Sequence, residues 1–145
     1  MKKITLILIG IALLSATVRL RAAGLDSVKV IVHPSNSISS MGKDQLARIF
    51  MKKLTEWEGG SRILVVDLTG ESAVRNAFCR EVFGKSLTAV KSYWQQQIFS
   101  GRGVPPLEKA SDAEVLAYVK ANQGAIGYVS ADAPTGGVKV IAIQP

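Results

Sequence analysis

Apolar positions along this chain fall into runs whose period changes from that of a strand to that of a helix and back. Val28-Lys29-Val30-Ile31-Val32 is β-branched and mostly apolar and reads as a buried strand. Pro34-Ser35-Asn36-Ser37 ends it with turn residues. From Lys43 the period lengthens, with Leu46, Ile49 and Phe50 at i, i+3 and i+4 behind Gly42, a tolerable N-cap. A loop holding Trp57 and Gly59-Gly60 leads to a second strand, Ile63-Leu64-Val65-Val66. The turn at Thr69-Gly70 opens a helix over Ser72–Phe83, whose face is Val74, Ala77, Phe78 and Val82 and whose C-terminal cap is Gly84. Another helix spans Leu87–Phe99 with Val90, Trp94 and Ile98 on one stripe, and Gly101-Arg102-Gly103-Val104-Pro105-Pro106 cannot continue it. Ser111 and Glu114 have capping-box spacing ahead of Val115, Leu116, Tyr118 and Val119. Two strands, Ala125–Val129 and Val138–Ile143, finish the chain. The alternation of element types predicts an α/β three-layer sandwich on a mixed, mostly parallel sheet of four or five strands.

The first two dozen residues read as an address. Lys2 and Lys3 precede an apolar run from Ile4 to Ala16, too short for a membrane span, and Ala22-Ala23-Gly24 supplies small residues for cleavage. Residues 1–23 are therefore expected to be a secretory signal and 24–145 a single domain, without a membrane span after cleavage and located in the periplasm. The signal changes the charge picture. The chain has 18 Lys and Arg against 11 Asp and Glu; Lys2, Lys3, Arg19 and Arg21 leave with the signal, so 14 minus 11 gives +3. No long basic run remains to suggest nucleic acid as a partner. A domain of about 120 residues can bury a core without disulfides. Cys79, the only cysteine, lies inside a helix and reads as a packed thiol, and with one histidine 46 residues away it matches no metal spacing. No cofactor is expected.

Candidate chemistry concentrates at Asp67–Arg75, where a strand passes through a tight turn into a helix. A helix N-terminus presents unpaired N–H groups and the positive end of the helix dipole to an oxyanion. Ser72 then adds a hydroxyl, Ala73 and Val74 their amides, and Arg75 a charge. Capping by Ser72 with Arg75 in solvent explains the same residues. Ser35 and Asn36 follow the first strand and are placed to donate at the same sheet edge, though turn formation accounts for them equally. Trp57 and Trp94 are large enough to anchor a partner, and Arg102, between two glycines, is placed to be exposed and free to contact one; packing explains the tryptophans and a sharp turn the arginine. Strand, Gly70-x-Ser72, helix has the outline of a nucleophile elbow, but Val74 replaces the second glycine and the sole histidine, His33, precedes the serine. No carboxylate pair suggests acid–base work. An enzyme is not expected.

The order of segments resembles the second lobe of phosphate ABC-transporter substrate-binding proteins, of the class II periplasmic-binding fold. "VIVHPSNSISSMGKDQLARIFMKKLTEWEGG" is similar to that family's strand, loop and helix; "SAVRNAF" resembles its "SGTRxxF" helix start, and "GAIGYVS" its late strand. The resemblance spans Val28 to Ile143 and leaves no counterpart for the other lobe. It implies a non-enzymatic solute-binding protein whose oxyanion site has decayed: the family's phosphate-holding arginine falls at Leu68, its glycine at Ala73 and its threonine at Val74, while Ser72 is kept and Glu71 adds a negative charge. The implied ligand is a small oxyanion such as phosphate, bound weakly. The alternative is a cell-envelope module that reuses the lobe for an envelope or transporter protein.

Overall fold

The computed structural model describes residues 25–145; the expected signal, residues 1–23, lies outside the described residues. The elements run β1 (Val28–Val32), β2 (Ser40–Gly42), α1 (Lys43–Phe50), β3 (Leu64–Leu68), α2 (Ala73–Phe78), a π-helical segment (Cys79–Phe83), α3 (Leu87–Phe99), β4 (Leu107–Lys109), α4 (Asp112–Ala121), β5 (Ala125–Ser130) and β6 (Lys139–Gln144). One sheet carries the strands in the order β2-β6-β1-β5-β3-β4. β1 pairs antiparallel with both β5 and β6, with Val30 opposite Tyr128 on one side and Ile141 on the other. The β2–β6, β3–β4 and β3–β5 pairs are parallel. The sheet is thus mixed and mostly parallel, with six strands among the described residues rather than four or five. The additional pair, β2 and β4, are three-residue edge strands without the apolar alternation that marks a strand in sequence.

Two neighbouring residues of β5 establish the layers. Gly127 turns toward α4: a Cβ there would lie 2.7 Å from Val66 Cγ1 and 2.8 Å from Val115 Cγ1. Tyr128 turns the other way and stacks on Phe78 of α2 at 3.8 Å between ring centroids, with Phe50 of α1 4.7 Å from Phe78. Successive strand side chains point to opposite faces, so helices cover both. Gly127 is the residue that lets α4 settle against the sheet. Ile31, Val65, Val66, Phe50, Phe78, Trp94 and Ile126 are all buried.

Local signals explain most helix ends. Ser111 Oγ accepts from the amide of Glu114, whose carboxylate accepts from the amide of Ala110. Gly84 adopts φ 62° after the π-helical segment, so the Ser72–Phe83 stretch ends where expected but widens at Cys79. Cys79, Leu87, Val90 and Trp94 form a second small core beneath α3. Ile98 departs from the expected stripe: it is 54% exposed, because α3 outruns the body it packs on.

Candidate functional site

The turn between β3 and α2 sits where parallel strands β3 and β5 end. Leu68 closes β3 with its side chain in the core, and its amide is held by Asp67 Oδ1 at 2.8 Å. Gly70 takes φ 74°, a conformation that favours glycine and reverses the chain. Ser72 is extended (φ −70°, ψ 154°), and its Oγ accepts from the Arg75 amide at 3.1 Å. A hydroxyl used as an acceptor keeps its own proton, so Ser72 caps α2 and still has a donor to offer. The amides of Ala73 and Val74 belong to the first turn, where no intrahelical acceptor exists. Glu71 beside them bonds Lys91 Nζ at 2.9 Å. That bond and the lysine charge hold the Glu71 carboxyl below its usual range and offset its repulsion of an anion.

Arg75 turns away from this terminus. Its side chain is 6% exposed and reaches Asp67 Oδ2 at 3.0 Å, Glu108 Oε1 at 2.9 Å and the carbonyl of Gly70 at 3.1 Å. Asp67 and Glu108 are paired directly across β3 and β4. Two like charges in that relation repel, and the guanidinium between them removes the conflict. Burial works against the Arg75 charge, but Asp67 and Glu108 outweigh it and hold the guanidinium above its usual range. Tyr128 donates to Asp67 Oδ1 at 2.5 Å. Burial and the Asp67 charge together push the Tyr128 hydroxyl far up. For Asp67 burial raises the carboxyl above its usual range against the opposing pull of Arg75, Tyr128 and the Leu68 amide. This cluster has the bonding of a structural clamp, with Tyr128 fully buried.

Ser35 and Asn36 do not join Ser72. The sequence placed them at the same sheet edge, but β1 runs against β3 and β5, with Val32 opposite Ile126 at the start of β5 and Leu64 of β3 opposite Ala125. The chain therefore leaves β1 where β3 begins, and the Ser72 turn is a strand length away, about 13 Å. At that other end Asn36 Oδ1 accepts from the Ile38 amide at 3.0 Å, a local turn. Ser35 Oγ lies 2.7 Å from His33 Nδ1, which also accepts from the Ser35 amide. No carboxylate among the described residues orients that imidazole, so the pair closes a turn and builds no triad. Ser35–Ser37, Trp57 and Gln123 line a hollow of about 260 Å³, beside a cleft of about 600 Å³ between Asn36–Ser40 and Trp57–Gly59. Neither includes the Ser72 turn. Trp57 Nε1 donates to the carbonyl of Gly124, and Trp94 packs in the second core, so both indoles serve the fold. Among the described residues no three His, Cys, Asp or Glu side chains are placed to hold a metal ion, and no helix is long and apolar enough to cross a membrane.

Three residues of this cluster had no role in the sequence reading: Asp67, inside the marked turn, and Glu108 and Tyr128, outside it. Asp67 carried a signal, a lone carboxylate in an apolar strand. Glu108 carried none, because its partners lie 33 and 41 positions away.

The family model described as PBP superfamily domain matches residues 14–140. The chain belongs to this superfamily. A protein of Clostridium perfringens described as a phosphate ABC transporter substrate-binding protein, solved with bound phosphate, aligns with TM-score 0.64 and 21% identity, over 81% of this chain and 44% of that one. An ABC-type phosphate transport receptor from Vibrio cholerae gives TM-score 0.64 and 20% identity, over 81% and 46%. PstS from Borrelia burgdorferi gives 0.62 and 13%, over 81% and 47%. At these identities the likeness is one of fold, and the chain spans less than half the length of each of these proteins. Among curated proteins none matches. Within the superfamily fold, the Ser72 turn occupies the carboxyl ends of parallel strands, where open α/β sheets bind ligands.

Proposed function

We propose that this chain is an exported, non-enzymatic solute-binding module that takes a small oxyanion such as phosphate weakly at the Ser72 turn. The observation that carries this reading is the Ser72 cap. Its hydroxyl proton remains available beside the first-turn amides of Ala73 and Val74, at the end of the sheet that favours ligands. Arg75 is committed to Asp67 and Glu108, and Leu68 is in the core, so no arginine from this turn reaches the anion. Val74 supplies an amide but no hydroxyl. Three donors at about 1.5–3 kcal/mol each, less the cost of immobilising the ion, fall short of the about 8 kcal/mol that micromolar binding needs. Binding near about 1 mM, about 4 kcal/mol, is within their reach.

Calorimetric titration of the mature chain with phosphate tests the proposal. A dissociation constant near or above about 1 mM that weakens further in Ser72→Ala supports it. Binding untouched by that substitution would place the anion elsewhere. Export is checked separately by mass spectrometry of the periplasmic protein: a terminus between Ala23 and Leu25 is expected, and an intact Met1 would contradict it.

A further inference from the structure

A different face of the molecule carries a second set of unused groups. The end of α1, the middle of α3 and the loop after α3 enclose a cleft of about 380 Å³. Its wall includes Lys52, Lys53 and Arg102 and no acidic residue. None of the three cations forms an ion pair among the described residues, whose salt bridges engage Arg75 and Lys91 instead. Lys52 stands at φ 54° just past the end of α1, a backbone position that glycine fills more readily. Tyr93 and Trp94, edge to face at 5.1 Å, give the same cleft an aromatic wall.

Exposed apolar side chains recur along the neighbouring stretch of sequence. Five large apolar side chains are markedly exposed among the described residues, and four of them, Ile98, Phe99, Val104 and Leu107, fall within one ten-residue stretch. Val104, 64% exposed, belongs to the cleft wall itself, whereas Phe99, two residues after Gln97, falls on the opposite side of α3 from Tyr93, Trp94 and Gln97. An exposed aliphatic side chain on the wall of a hollow lined by aromatic rings fits an interaction surface, and the complementary charge decides the partner. A phosphate-sized ion would use the cations and leave Val104 in water and the Tyr93 wall unused. A polypeptide with acidic residues flanking an apolar side chain would use both sets.

We propose that this cleft docks an acidic polypeptide segment of another protein. An aromatic or aliphatic anchor enters between Tyr93 and Val104, and carboxylates meet Lys52, Lys53 and Arg102. The proposal is independent of the anion site, since the cleft shares no residue with the Ser72 turn.

The test uses the mature chain and a labelled peptide that alternates aspartate and glutamate around two central phenylalanines, followed by fluorescence anisotropy at low salt. Saturable binding is expected, weakened about tenfold or more both by Lys52→Ala combined with Lys53→Ala and Arg102→Ala and by Val104→Ser. These positions are exposed or half-buried, and circular dichroism verifies that each variant folds. The proposal is overturned by an absence of saturation up to about 1 mM, by equal affinity in the triple variant, or by equal affinity for a peptide lacking the phenylalanines. A dimer of the chain alone that dissociates in Val104→Ser would likewise overturn it, by giving this face to a second copy.

Discussion

Asp67 and Glu108 stand opposite each other in the parallel register of β3 and β4, and the guanidinium of Arg75 bridges them at 3.0 and 2.9 Å. The arginine of the helix-start motif thereby ties a central strand to an edge strand. Removing it leaves Asp67 buried and unpaired beside Glu108. Arg75→Ala is expected to lower unfolding stability by about 3 kcal/mol, as for loss of one member of a buried pair. Glu108, 40% exposed, contributes less, and Glu108→Gln is expected to cost about 1 kcal/mol or less. Urea denaturation of the two variants checks this; equal losses would contradict it.

Gly127 is predicted to tolerate no side chain, since a Cβ would meet Val66 and Val115 from two elements at once. Gly127→Ala should cost about 1–3 kcal/mol by overpacking. Gly59→Ala, where nothing lies within 4 Å, should stay within about 0.5 kcal/mol. Thermal melts of both variants decide the point, and similar melting temperatures would count against the packing described.

The Cys79 thiol is buried, and burial pushes it up to about 11, with the Asp67 charge adding to the effect. Because the folded state favours the neutral thiol, stability from this group is fully present below the ordinary thiol range and falls as pH rises toward about 11. At pH about 8 a thiol reagent should label the native chain slowly and the urea-unfolded chain quickly. Rapid labelling under native conditions would show that the second core opens.

The capping box at Ser111 and Glu114 and the left-handed stop at Gly84 were legible because each depends on residues close in sequence. The same holds for the core residues of β1, β3 and β5, whose burial on both faces makes them continuously apolar. The direction of β1 was not legible. A β-branched run looks alike in either orientation, and the assumption that its exit lies beside the Ser72 turn placed Ser35 and Asn36 at the wrong end. The edge strands β2 and β4 are too short to show a period, and their pairing comes from β6 and β3. Arg75 was legible as a cation at a helix start but not as a clamp, since Glu108 becomes its neighbour only through the β3–β4 register.

The most direct test of the proposed anion site is a phosphate titration of the ¹⁵N-labelled mature chain followed amide by amide. The largest, saturable shifts are expected at Ser72, Ala73 and Val74, with an apparent dissociation constant near or above about 1 mM, and little change at Ser35 and Asn36 at the opposite end of the sheet. Micromolar saturation, or shifts centred on the Ser35–Asn36 loop while Ala73 and Val74 stay still, would contradict the site described here.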